Sequence, residues 1–289
     1  MPDRYSLPKA IGWSIAFVVL TLLLTGLLAF GAALLITGSA QAANVWLGQT
    51  GPGPLLLQAV IMVLSTALFT WLIGMRALGL TIEDLRYTGD HRALGFALGG
   101  IAGALAAGTA LAVAVLLGAA EWTRDHGTPL DYLGAVGKTI FVLAPAALSE
   151  ELIFRGVPLI LLARALGRGT AIVLIAVLFA LAHLTNPNVT PLAIGNIALA
   201  GVFLGLAFYA PGGIWTAWGA HLGWNSMLAA LDAPVSGVPF RIPFLDYQAG
   251  DPTWLTGGQF GPEGGLSSTL ALTIAVLVAR RWAGGRDTT

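Results

Sequence analysis

Long apolar runs separated by short polar connections rich in Gly and Pro dominate the chain. The runs fall near 10–37, 54–75, 93–118, 139–163, 170–185, 191–210, 213–231 and 267–283. A helix rises about 1.5 Å per residue and must cross about 30 Å of hydrocarbon, so runs of about 18 residues predict membrane-spanning helices. Barrel-strand alternation is missing from these runs, and a lipid-exposed backbone must satisfy its own hydrogen bonds, so each is read as helix. The expected fold is all-α, a polytopic transmembrane helical bundle of about eight spans, with 1–289 forming a single integral membrane domain. The fifth to seventh runs are short, which suits helices packed among neighbours or bordering a water-filled cavity.

Four local patterns refine this outline. Arg4 and Lys9 precede the first run and Ala40-Gln41-Ala42 follows it, as in a secretory signal. The run of about 28 residues exceeds the ~7–15 of a signal-peptide core, so a retained first span is expected. Gly95, Gly99 and Gly103, and beside them Gly100, Ala104 and Gly108, form rows at four-residue spacing that read as helix-packing faces. Segment 232–266 carries many Pro and Gly residues with apolar anchors at Phe240, Phe244, Trp254 and Phe260. It reads as a lid over the non-cytoplasmic face or as an interfacial loop anchored by aromatics. Segment 76–92, with Glu83, Asp84, Arg86, Asp90 and Arg92, reads as a solvated cytoplasmic connection containing a short surface helix.

Composition agrees: 56% of residues are hydrophobic and only 10% charged, with a mean hydropathy of +0.82. A formal net charge of zero, without clustered Lys and Arg, excludes a nucleic-acid surface. The absence of cysteine removes disulfides, thiolate metal sites and a cysteine nucleophile. Positive residues stay on the cytoplasmic side of short loops. With the N-terminus inside, Arg4, Lys9, Arg76, Arg86, Arg92, Arg164, Arg168, Arg280, Arg281 and Arg286 fall there, against Arg124, Lys138 and Arg241 outside. Both termini are thus expected to be cytoplasmic in a multi-pass protein of the cell (inner) membrane.

The chemistry is located by elimination. Of the 14 acidic residues, only Glu150 and Glu151 lie inside a predicted span. A carboxylate at membrane depth costs at least about 2.5–3.5 kcal/mol, and adjacent carboxylates repel each other's charge. Arg155, four residues after Glu151, shares its helical face and is its expected ion-pair partner. Glu150 lies about 100° around the helix and needs another partner. His183, near the end of the fifth run, and His221, within the seventh and one turn before Asn225, are the candidates. On continuous helices, Glu151 precedes Arg164 by 13 residues and His183 follows Arg168 by 15, which predicts similar depths of about 20 Å. Glutamate and histidine can hold a water and take its proton, while a second histidine and an amide can donate to a developing oxyanion.

These segments resemble the motifs of a known family. Glu150-Glu151-Leu152-Ile153-Phe154-Arg155-Gly156, Phe179-Ala180-Leu181-Ala182-His183 and His221-Leu222-Gly223-Trp224-Asn225 occur in order and look like the three motifs of the CPBP family, the CAAX proteases and bacteriocin-processing enzymes. The resemblance covers about residues 139–231, the motif-bearing core. It implies an intramembrane endopeptidase in which Glu150 is general base on a water held with His183, while His221 and Asn225 stabilise the tetrahedral intermediate. Glu151 and Arg155 would support them, and Phe179 would pack the site. Substrates in such a family are membrane-associated peptides or proteins, prenylated at CAAX termini in some members. No cofactor is favoured. Zinc on Glu150, His183 and His221 is the alternative, although the His-Glu-x-x-His pattern on one helix is missing and the ligands would come from three spans.

Other classes fit less well. No span sets a serine in a nucleophile's context, every Asp lies outside the predicted spans, and the Asp-rich magnesium sites of a prenyltransferase are missing. A proton-coupled transporter would also use intramembrane Glu and His, but neither inverted repeats nor paired broken helices are evident. A non-catalytic scaffold or immunity protein of the same fold is the third reading.

Overall fold

A computed structural model describes residues 6–284. In chain order the elements are α1 (Leu7–Thr37), α2 (Ala40–Leu47), α3 (Pro52–Phe69, continued by a π-helical stretch Thr70–Ala77), α4 (Arg92–Leu116), β1 (Ala120–Arg124) and α5 (Pro129–Arg155). There follow α6 (Val157–Leu166), α7 (Arg168–Ala182), α8 (Pro191–Tyr209), α9 (Ile214–Ala230), β2 (Leu245–Ala249), α10 (Thr253–Thr256) and α11 (Leu266–Gly284). The fold is an all-α membrane bundle carrying one small two-stranded sheet. Among the described residues five helices are long and apolar enough to cross a membrane, and α7 is a shorter apolar helix. Arg4 and Arg286, both counted in the charge asymmetry, lie outside the described residues.

The chain divides into two compact units, 1–87 with 142–171 and 88–141 with 172–289. In the first unit α1 packs on α2, α3 and α6. Its buried positions are Ala10, Ser14, Phe17, Thr21, Thr25, Ala29 and Ala33, a stripe at three- and four-residue spacing. Leu23, Leu27 and Leu35 on other faces are 66%, 69% and 88% exposed. Small and hydroxyl-bearing residues inside with leucine outside is the arrangement a helix needs among helices in lipid, where leucine gains nothing by leaving the tails.

Two expectations need correction here. The run 139–163 is not one helix, because Gly156 separates α5 from α6. Pro158 cannot donate to the turn before it, and a Cβ at Gly156 would lie 2.5 Å from the Tyr87 hydroxyl. A depth counted from Arg164 along one helix therefore does not apply to Glu151. Segment 76–92 also holds no surface helix beyond its π-helical start. Thr81 and Asp84 cap each other reciprocally, with Thr81 N donating to Asp84 Oδ2 at 2.9 Å and Asp84 N to Thr81 Oγ1 at 3.0 Å. Only a turn follows, since Arg86 takes a positive φ of 56°. The turn is not simply solvated: Leu80 and Leu85 are buried, and Arg164 Nη2 bridges to Asp84 Oδ1 at 2.5 Å.

In the second unit α4 and α9 lie in close contact along their length. A Cβ added at Gly99 would strike the Thr216 carbonyl, and one at Gly103 the Ala220 carbonyl, with Trp224 N at 2.9 Å. Reciprocally, Gly219 and Gly223 of α9 admit the backbone of Phe96 and Gly100. The glycine rows are thus a helix-packing face that brings the two backbones together. The α4–β1 connection leads to Trp122, whose indole N–H donates to Leu231 O at 2.8 Å, while Tyr132 Oη donates to Ala230 O at 3.1 Å. These donors serve carbonyls at the end of α9, which have no partner inside the helix.

Segment 232–266 is folded onto the same unit. β2 pairs antiparallel with β1, Ala120 opposite Ala249 and Arg124 opposite Leu245. Asn186 Nδ2 donates to Ser236 O at 3.0 Å, and Phe260 and Ile242 are buried, while Trp254 is 57% exposed. Gly103→Leu should lower the thermal midpoint of the protein in detergent, because overpacking such a contact costs about 1–3 kcal/mol. An unchanged midpoint by differential scanning fluorimetry would contradict the close α4–α9 approach.

Candidate active site

The six polar residues singled out from the sequence divide between the units. Glu150, Glu151 and Arg155 stand at the end of α5 in the first unit. Arg155 Nη1 donates to Glu151 Oε1 at 3.0 Å, and both side chains are wholly buried. Helical spacing of four residues sets this pair. Glu150 is partly buried, unlike Glu151.

His183, His221 and Asn225 come together in the second unit, lining one cavity of about 30 Å³, room for a water or two. His183 follows the last residue of α7 and continues its turn, its N–H bonded to Ala180 O at 3.0 Å. Its Nδ1 lies 2.7 Å from Phe179 O. A carbonyl only accepts, so Nδ1 carries the proton and the lone pair of the neutral ring sits on Nε2. The Phe179 ring lies against both imidazoles, tilted at 4.6 Å centroid distance from His183 and edge-on at 6.0 Å from His221. It is 3% exposed and packs against both rings. His221, Trp224 and Asn225, at i, i+3 and i+4, share one face of α9 and all border the cavity.

Elimination by predicted span misses one acidic residue. Glu263, in the turn Pro262–Gly264, is 7% exposed and borders the same cavity. Its Oε1 accepts from Trp224 Nε1 at 3.0 Å; its Oε2 accepts from Ser236 Oγ at 3.1 Å and from Ser236 N. Asn196 of α8 fixes the turn, donating to the carbonyls of Glu263 and Gly265 at 2.8 Å each, and accepts from Thr269 of α11 at 2.7 Å. Burial pushes the Glu263 carboxyl above its ordinary range, opposed by the donors at Ser236 and Trp224 and by His183. The sequence carried a signal: Glu263 is the one charged residue between Asp251 and Arg280, set among glycines and apolar residues.

Zinc on Glu150, His183 and His221 is the metal alternative. Among the described residues no three or more His, Asp or Glu side chains gather as a metal ion requires.

An all-α bundle with several apolar spans and a small, mainly apolar cavity that a few polar side chains border defines an integral membrane protein of multi-pass type. Residues 133–227, which include all three motif segments, match the family model described as type II CAAX prenyl endopeptidase Rce1-like. That segment is therefore similar to the Rce1-like family, a likeness that supports a membrane endopeptidase in general terms and a membrane-associated protein as the class of substrate. No curated protein and no solved structure matches the chain.

Removing one member of a fully buried ion pair leaves the other charge without its partner, at about 3–5 kcal/mol. Arg155→Ala should accordingly reduce the amount of folded protein recovered from membranes, measured by size exclusion in detergent. Wild-type yield together with lost activity would instead give Arg155 a direct chemical role.

Proposed function

We propose that the protein is a CPBP-type intramembrane endopeptidase that hydrolyses a peptide bond of a membrane-delivered substrate with glutamate-activated water. The observation that carries this reading is that His183, His221 and Asn225, all within the Rce1-like segment, border one small cavity. Glu150 takes a proton from the attacking water as its oxygen bonds to the scissile carbonyl carbon. His183 holds that water through Nε2, the nitrogen that its bond to Phe179 O leaves with a lone pair. The carbonyl oxygen becomes an oxyanion and accepts hydrogen bonds from His221 and Asn225, groups already oriented by α9. Collapse breaks the carbon–nitrogen bond, and the departing amine receives the proton carried by Glu150. Glu151 and Arg155 support Glu150 by neutralising charge at the end of α5.

The reaction needs no metal in this scheme. The protein lies in the cell membrane with both termini cytoplasmic, a placement supported by the excess of Lys and Arg in the loops assigned to that side. The substrate is a peptide or protein held at the membrane, and a lipidated terminus fits a site reached from the bilayer.

Termini of membrane peptides, compared by mass spectrometry in cells carrying the wild type, Glu150→Gln or neither, test the reading. New termini are expected with the wild type alone, and Glu150→Gln or His183→Ala should slow their formation by about 10²-fold or more while leaving the protein inserted. Three identical profiles at high protein abundance would remove the peptidase reading in favour of proton transport, assayed by flux in vesicles. Incubation with 1,10-phenanthroline should leave the wild-type rate unchanged; a loss reversed by added zinc would replace the glutamate scheme with a metal-dependent one.

A further inference from the structure

The Glu263 carboxylate has both oxygens engaged by donors that cannot accept in return, the Trp224 indole N–H on Oε1 and the Ser236 N–H on Oε2, with the Ser236 hydroxyl adding to the second. Trp224 sits on the α9 face that carries His221 and Asn225, and Trp224, Ser236 and Glu263 all border their cavity. The turn bearing Glu263 is itself fixed to α8 and α11 through Asn196 and Thr269. A rigid two-acceptor group is thus built against the reacting face of α9 from the opposite wall.

We propose that Glu263 is a positioning residue of the cleavage site, fixing the face of α9 that presents His221 and Asn225 to the substrate carbonyl. This rests on the peptidase reading above. Glu263 does not touch the reacting atoms; it acts through Trp224. A carboxylate is required because glutamine would set an NH2 group against either the indole N–H or the Ser236 N–H, and the pair would push apart. Displacement of about 1 Å at an oriented catalytic group lowers turnover by roughly 10²-fold without weakening substrate binding to match.

The test uses the full-length protein in phosphatidylcholine vesicles. Its substrate is a synthetic copy of the membrane peptide whose new terminus the wild type forms fastest. Glu263→Gln should lower kcat per folded molecule by about 10–10²-fold with KM within about twofold of wild type. Trp224→Phe, which removes the donor and keeps a ring, should also lower kcat. The double variant should recover part of what Glu263→Gln loses, since the opposed donors are then gone; this coupling is what a purely structural role would not produce. Ser236→Ala, which retains the backbone donor, should lose only about a fewfold. If Glu263→Gln does not fold, Trp224→Phe and Ser236→Ala still decide: wild-type kcat in both overturns the proposal. Losses in the first two variants that simply add in the double variant overturn it as well. A wild type that forms no new termini at all removes the peptidase reading and this inference together, a result distinct from an active wild type with unaffected variants.

Discussion

Hydrocarbon offers no hydrogen bonds, and the rest of the structure follows from the need to answer each polar group taken into apolar surroundings. Glu151 is answered by Arg155 within one helical turn, both wholly buried. The carbonyls ending α9 are answered by Trp122 and Tyr132 from the β1 and α5 side of the second unit. Glu263 is answered by Trp224 and Ser236, and Asn196 gives both amide hydrogens to the turn that holds Glu263 and accepts from Thr269. Beside these answered groups lies a small cavity bordered by two imidazoles and an amide.

Helix packing makes this arrangement reachable. α9 carries His221 and Asn225, and α4 lies against it through glycines on both sides. Backbones that approach so closely gain van der Waals contact that lipid cannot replace, and they leave no slack for α9 to rotate. Phe179 plays the matching part for the imidazoles, since its ring touches both. Fixing such groups before substrate arrives is what lets hydrogen bonds favour a transition state instead of reorganising to meet it.

Much of this was legible from the order of residues. Apolar runs located α1, α4, α8, α9 and α11 within a few residues of their ends, because length and hydropathy are what a bilayer selects. The glycine rows announced a packing face on α4, though not α9 as its partner, and the four-residue step from Glu151 to Arg155 announced their ion pair. Less legible was anything set by steric detail or distant partners. At the break a side chain on Gly156 would meet the Tyr87 hydroxyl, which is remote in sequence. Two strands paired 120–124 with 245–249 inside segments too short and mixed to stand out. Glu263 escapes elimination by predicted span because it lies in a connecting segment, and that segment folds back so that the carboxylate is buried. Its isolation among glycines and apolar residues was the available clue.

The inward stripe of α1 carries one more implication. Apart from Phe17, its members Ala10, Ser14, Thr21, Thr25, Ala29 and Ala33 are small, whereas Leu23, Leu27 and Leu35 on its other faces are large and exposed. The two kinds of position obey different tolerances: inside, volume is limited and polarity is free to vary; outside, polarity is limited and volume is free. Sequence drift in this helix should therefore shuffle Leu, Ile, Val and Phe along the outer face while exchanging Ala, Ser, Thr and Gly along the inner one. A hydropathy profile averaged over the whole helix would register neither change.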